Sequence, residues 1–355
     1  VGTLLVAAGG GGDAIAAAAM AGFAPDGAVG IATLAWDRLI IDPLPGPRGA
    51  ADFTGLHRHT GWWQVMPGSR PIAPAGSTLP RLAAELPLPL ILLDPYDGAR
   101  GLRAQIISAA ATLGAGHVRV IDVGGDLLGR PGDAGLRSPL ADALTGSACV
   151  DLPGAAAWIA GPGVDGELSA ALVLQRTGDA TIRRLDPEAW KPILPILRWH
   201  PTEASALLAS ATLGLRGTVE IRDAGLPVHL DDTSPVVHEM SMHAVSGINP
   251  LLAALTDTAS FTEAEQIAIQ ILGGTELDIE RRKAARPRPR SQPSAAVFDE
   301  LSMWEETARG RGVDYVTYRR LAEALGHLDL AEFRTRLVTQ HPHQDTGLLW
   351  ALAST

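Results

Sequence analysis

Two stretches of the chain place bare backbone beside a carboxylate. Gly9-Gly10-Gly11-Gly12-Asp13 closes an apolar run that starts at Gly2, and Gly124-Gly125-Asp126 closes the run Val118–Val123. Glycine lets a backbone approach a ligand closely, and a helix that begins just after such a turn offers free N–H groups to an anion. More acids fall at or just past the ends of apolar runs: Asp94, Asp97, Asp122, Asp165 and Glu167. Carboxylates brought that close cannot all stay ionised without a cation. Hard oxygen donors favour Mg²⁺, Mn²⁺ or Ca²⁺ over zinc. The chemistry these residue types suggest is a divalent cation, Mg²⁺ or Mn²⁺, held by Asp13, Asp122, Asp126 and Asp165. Beside it, Gly9 to Gly12 with Gly124 and Gly125 would position an anionic group through backbone N–H donors. Asp126, Glu167 and His200 are the candidate catalytic residues, the last two for proton transfer. The competing reading of each acid is a turn or helix cap.

Gly9, Gly11 and Ala14 also satisfy a loose dinucleotide pattern, Gly-x-Gly-x-x-Ala. Asp37 ends the next apolar run and stands where an acid would bind a ribose 2′-hydroxyl. A nucleotide is therefore a second cofactor candidate. Trp199-His200-Pro201-Thr202-Glu203 sets a histidine just before a helical stretch. His57 and His59 would share a face if extended, within a loop-like segment, and His238-Glu239 with His243 has near-helical spacing for a metal pair without the His-Glu-x-x-His order of a zinc protease. There is no Gly-x-Ser-x-Gly elbow, and Cys149 has no histidine near it in sequence.

The elements that must carry these residues alternate. Gly2–Ala8, Ala28–Ala35, Pro89–Leu93, Val118–Val123 and Ala156–Ala160 read as strands. Asp13–Ala21, a Ser77-Thr78-capped segment to Glu85, Arg100–Leu113 and Glu167–Leu174 read as helices. Such alternation predicts an α/β fold, a Rossmann-like, doubly wound and mostly parallel sheet, which binds ligands beyond the carboxyl ends of its strands. Thr54–Trp63 reads as a loop. Val219–Arg222 and Pro227–Leu230 flank a hairpin turn. The expected division is a Rossmann-like unit over 1–245, with a hairpin near 218–231, and a mainly helical region over 246–355. The latter carries a flexible basic, Pro-rich loop at 281–294 and a closing helical pair, Tyr315–Leu325 and Leu330–Leu337.

With 355 residues, 46% of them hydrophobic, the chain can bury a large core. Its net charge of -10 argues against nucleic acid and anionic membrane as partners. A small-molecule substrate is expected instead, and a homo-oligomer stays open. One cysteine excludes an intrachain disulfide and suits a reducing cytoplasm. No run reaches the ~18 apolar residues of a membrane span, and the first apolar run reads as a buried strand rather than a signal peptide.

The two Gly-Gly-Asp turns resemble the pair in the phosphofructokinase superfamily, where one approaches nucleotide phosphates and the other a metal. The second turn departs from that pattern, continuing Asp126-Leu127 where the superfamily has another glycine. Longer strings resemble the prokaryotic family called domain of unknown function 1152. They are Asp42-Pro43 with Pro45–Arg48, Phe53–Leu56, Ile121–Asp126, Ser138–Leu140, Gly161–Leu168, Trp199–Ala204 and Glu220–Leu226. That resemblance covers most of the chain and implies no reaction. Together these features lead to the expectation of a divalent-metal-dependent enzyme on a phosphorylated or nucleotide-like small molecule. A nucleotide-dependent oxidoreductase or transferase, and a non-catalytic ligand sensor, are the alternatives.

Overall fold

A computed structural model describes residues 1–222, 224–285, 297–327 and 329–352. Nine strands form one sheet, in the order Thr181–Arg184, Val236–Ser241, Ala156–Ala160, Ala115–Val123, Gly2–Ala7, Ala28–Leu34, Leu90–Leu93, Trp62–Val65 and His57–His59. The five from Ala156–Ala160 to Leu90–Leu93 are mutually parallel, and the pairs outside them are antiparallel. Counted along the chain, the parallel strands lie in the order 5-4-1-2-3. The strand order reverses between Gly2–Ala7 and Ala115–Val123, the crevice where doubly wound sheets bind ligands.

The parallel strands are buried on both faces, so they are short continuous apolar runs rather than alternating ones. Leu5 and Ala7 face the helices Gly11–Met20 and Ala204–Thr212, while Leu4 and Val6 face Gly98–Leu113 and Pro139–Cys149. Register sets the site. Ala7 pairs with Ile121, Asp122 with Ile159 and Val123 with Ala160, so the chain leaves the sheet at Gly9, Gly124 and Gly161 at nearly one level.

The expected strands and helices of the first half are present, with ends moved by a few residues. Four segments differ from expectation. Thr54–Trp63 is not all loop, because His57–His59 and Trp62–Val65 pair as a hairpin on the sheet edge. Glu167 is not helical: Gly163 and Gly166 (φ 74° and 75°) keep the chain turning until Ser169 caps the helix Ala170–Thr177. Tyr315–Thr317 is a strand before the helix Tyr318–Ala324 starts. Residues 281–284 end the helix Glu276–Ala284 rather than open a loop, and 286–294 lie outside the described residues.

A second sheet orders Leu226–Leu230, Gly217–Ile221, Tyr315–Thr317 and Leu349–Ala351, so strands from both sides of residue 245 pair with each other. Among the described residues no helix is long and apolar enough to cross a membrane.

The helix Glu276–Ala284 is bound to the mouth of the sheet by one buried carboxylate. Glu280 accepts from Trp36 Nε1 at 3.1 Å and from Gly46 N at 2.9 Å. Truncating it strands two buried donors, each costing about 1–3 kcal/mol. Glu280→Ala is therefore expected to lower unfolding free energy by about 2–6 kcal/mol in urea denaturation. The exposed Glu306→Ala should stay within about 0.5 kcal/mol of wild type.

Candidate metal centre at the strand crossover

Three glycine exits floor the site. Gly10, Gly124 and Gly125 have φ of 122°, 120° and 114°, which other residues rarely adopt. A methyl at Gly124 would fall 2.2 Å from Asp165 Cγ, so the acid packs directly on bare backbone. The turn is pinned on both sides: Gly124 N donates to Ala160 O at 2.9 Å, and Gly163 N donates to Gly124 O at 2.7 Å. The Gly161–Gly166 loop is thereby locked to the second glycine turn, and this brings Asp165 to Asp126.

Asp126, Asp165 and Glu167 each offer a carboxylate oxygen, and the three oxygens lie within 4.8 Å of one another. All three residues are buried. Asp126 Oδ1 and Asp165 Oδ2 accept from no donor group, a costly state for a buried oxygen, and the two carboxyls lie within hydrogen-bonding reach of each other. Glu167 is richly bonded. It accepts from Arg137 N at 2.6 Å, Ser138 N at 2.9 Å and the Ser138 hydroxyl, and pairs with Arg222 at 2.8 Å. Arg222 sits at φ 58° on the hairpin turn, its N–H held by Glu203 Oε1 at 3.0 Å.

Burial dominates the electrostatics. It pushes the Asp126 carboxyl far above the usual carboxylate range, with Asp165 and Glu167 repelling the charge further. Asp165 is raised for the same reasons, burial first and then Glu167. Burial also pushes Glu167 upward, but Arg222 and the Ser138 and Arg137 donors outweigh it and leave Glu167 below its ordinary value. Glu167 therefore stays ionised at neutral pH, and it has no proton to donate.

Asp13 and Asp122 lie in the same neighbourhood, each within electrostatic range of Asp165. Asp122 gives both oxygens to its own turn, accepting from Gly125 N at 3.3 Å and Leu127 N at 3.0 Å. Asp13, in the first turn of Gly11–Met20, accepts from Gly9 N at 2.9 Å and is raised to about 7 by burial. Asp94 and Asp97 do not join the cluster. Asp94 accepts from Ala50 N and Tyr96 N, and Asp97 is exposed.

His200 has other partners. Its Nδ1 accepts from Thr202 N at 3.2 Å, so Nε2 carries the proton and donates to Thr78 Oγ1 at 3.1 Å. Burial holds the imidazole down to about 3. A ring kept neutral and tied at both nitrogens is poorly suited to proton transfer. Asp37 accepts from Thr78 Oγ1 at 2.7 Å and Thr78 N at 3.1 Å, so a ribose diol would have to displace the cap of the helix Leu79–Glu85. Thr78 and Thr202 crowd Gly11 and Gly12, and this polar group borders the first glycine turn. His57 and His59 do share a face, with ring centroids 4.6 Å apart, and His59 stacks on Trp62. His238 is buried on a strand while His243 is exposed on the next helix, so they form no metal pair.

Three residues of the neighbourhood are absent from the sequence-based set. Arg222 sits in the hairpin turn. Asp142, on Pro139–Cys149, faces Gly9. Glu276 accepts from Leu140 N and Ala141 N at the start of that helix, and burial raises it to about 7. Asp142 lies inside a helix, while Arg222 and Glu276 adjoin glycine turns that do not follow a strand of the parallel sheet, and charge alone does not single any of them out.

The raised carboxyls set a pH dependence. A folded-state value above the unfolded one favours the protonated acid in the native state, so stability is full below the unfolded value and declines as pH rises. Asp13 and Glu276 place that decline between pH ~4 and ~7, and Asp122, Asp126 and Asp142 extend it upward. Glu167 works oppositely, but only in the acid range below its ordinary value. With chelator present, melting at pH 8 should come several degrees below melting at pH 6, read by circular dichroism. Equal or higher stability at pH 8 would contradict the buried-acid picture.

A family model described as "Protein of unknown function (DUF1152)" matches residues 4–284, well over half of the chain, and the chain belongs to that family. No curated protein and no solved structure matches it significantly.

Proposed function

We propose that this member of the DUF1152 family is a divalent-metal-dependent enzyme acting on a phosphorylated or nucleotide-like small molecule, by phosphoryl transfer, hydrolysis or lyase chemistry. The observation that carries the reading is the pair of buried, unbonded carboxylate oxygens, Asp126 Oδ1 and Asp165 Oδ2, at the crossover of a parallel sheet. Oxygens left unbonded in low dielectric fit Mg²⁺ or Mn²⁺, whose hard character suits carboxylates. Asp126 and Asp165 would hold the cation, with Glu167 as the third oxygen donor, Asp13 beside them and Asp122 bracing the turn. When bound, the cation would neutralise charge on a phosphate oxygen as a Lewis acid.

The chain's own residues supply the rest. The helix Gly11–Met20 starts at the first glycine exit, and while Asp13 N and Ala14 N donate to Gly10 O, the N–H groups of Gly11 and Gly12 would orient an anion. Asp13 lies in that same turn, so the anion is welcome only together with a cation. Arg222, spent on Glu167 through one nitrogen, keeps further N–H donors for an anionic oxygen. The nucleotide-dependent oxidoreductase reading is weaker, because Asp37 is occupied by Thr78.

Manganese titration followed by thermal melting tests this. Mn²⁺ at about 100 times its dissociation constant should stabilise the wild type by roughly 2.7 kcal/mol. Asp126→Asn and Asp165→Asn should fold and lose that stabilisation. Unchanged Mn²⁺ stabilisation in both variants would refute the assignment. Metal binding without turnover of any phosphate ester, with a ligand-triggered change in assembly, would favour a sensor over an enzyme.

A further inference from the structure

Asp142 is a buried acid that the reading above leaves without a task. It is 6% exposed, and its carboxylate makes no hydrogen bond among the described residues. It faces the first glycine turn. A Cβ at Gly9 would lie 3.2 and 3.5 Å from the two Asp142 oxygens and 2.8 Å from Asp13 Oδ2. The space a side chain would fill is thus bordered by two carboxylates, one fully unbonded and the other bonded only through Oδ2 to Gly9 N. The helix Pro139–Cys149 presents Asp142 there, and Glu276 fixes the start of that helix through Leu140 N and Ala141 N.

Charge counting points the same way. Asp13, Asp122, Asp126, Asp142, Asp165, Glu167 and Glu276 are seven carboxylates, and Arg222, partly buried, is the guanidinium paired into them. Arg38, near Asp13, is exposed and therefore screened. With all seven ionised, one divalent cation beside Asp126 would leave four charges uncompensated, and two cations would leave two.

We infer that Asp142 and Asp13 form a second divalent-cation position against the Gly9 backbone, so that the crossover holds a two-cation centre. This rests on the metal reading above and narrows it: paired cations suit a substrate whose phosphate bridges both, the arrangement that stabilises attacking and leaving oxygens together. Asp13 lies between the positions, within electrostatic range of Asp165 on one side and Asp142 on the other.

The test counts Mn²⁺ on the full chain by equilibrium dialysis with elemental analysis, alongside electron paramagnetic resonance. The wild type should take up two Mn²⁺ per chain, with the free-ion six-line signal lost to coupling between neighbouring ions. Asp142→Asn should keep one ion and regain an uncoupled signal, with circular dichroism confirming the fold. If Asp142→Asn does not fold, the wild-type stoichiometry and coupling decide alone. One Mn²⁺ per chain, lost in Asp126→Asn and unaffected by Asp142→Asn, would overturn the second position and leave the first intact. No bound Mn²⁺ at all would overturn both, and would mean that the acids share protons instead.

Discussion

The constraint on which this structure turns is the burial of like charges. A carboxylate removed from water pays a desolvation penalty that rises steeply when its neighbours are also carboxylates. Here Asp122, Asp126, Asp142, Asp165 and Glu167 are all under a tenth exposed. The fold relieves only part of the cost. Arg222 and backbone donors compensate Glu167, and Gly125 and Leu127 compensate Asp122. Asp126, Asp142 and Asp165 receive little and are left to hold protons or a cation. A stable core does not require such an arrangement, and apolar residues of similar volume are often as stable or more so. Buried groups whose environment shifts them this far cluster at functional sites.

The topology supplies the convergence. A parallel sheet sends all its strand ends to one side, and the 5-4-1-2-3 order opens a crevice between Gly2–Ala7 and Ala115–Val123. The residues at that crevice have almost no side chains, so the acids can press against backbone. At Gly124 an added methyl would collide with Asp165, and at Gly9 it would collide with Asp13. The glycines thus serve the acids as much as any ligand, since they allow carboxylates from four different loops and helices to share a small volume.

Much of this was legible in the sequence. Strands buried on both faces appear as short apolar runs, and an acid directly after such a run marks a strand end. That logic located Asp13, Asp122, Asp126, Asp165 and Glu167, and placed them together once a parallel sheet was inferred. It failed for Asp94 and Asp97, which also follow a strand but lie two strands from the crevice and serve as a cap and an exposed residue. It could not find Asp142, which is in a helix of small residues, or Arg222 and Glu276, which arrive through tertiary packing. It also gave His200 a catalytic role because the residue precedes a helix; only the structure reveals a ring held neutral by burial and tied to Thr78 and Thr202.

The most direct measurement is crystallographic. Crystals soaked in Mn²⁺ and measured on the low-energy side of the iron edge give anomalous density for the bound metal alone. The account predicts a peak touching Asp126 and Asp165 at roughly 2.0–2.3 Å from their oxygens, within the usual range for hard divalent cations. Asp126 and Asp165 instead joined by a short hydrogen bond, with no peak beside them at saturating Mn²⁺, would contradict it.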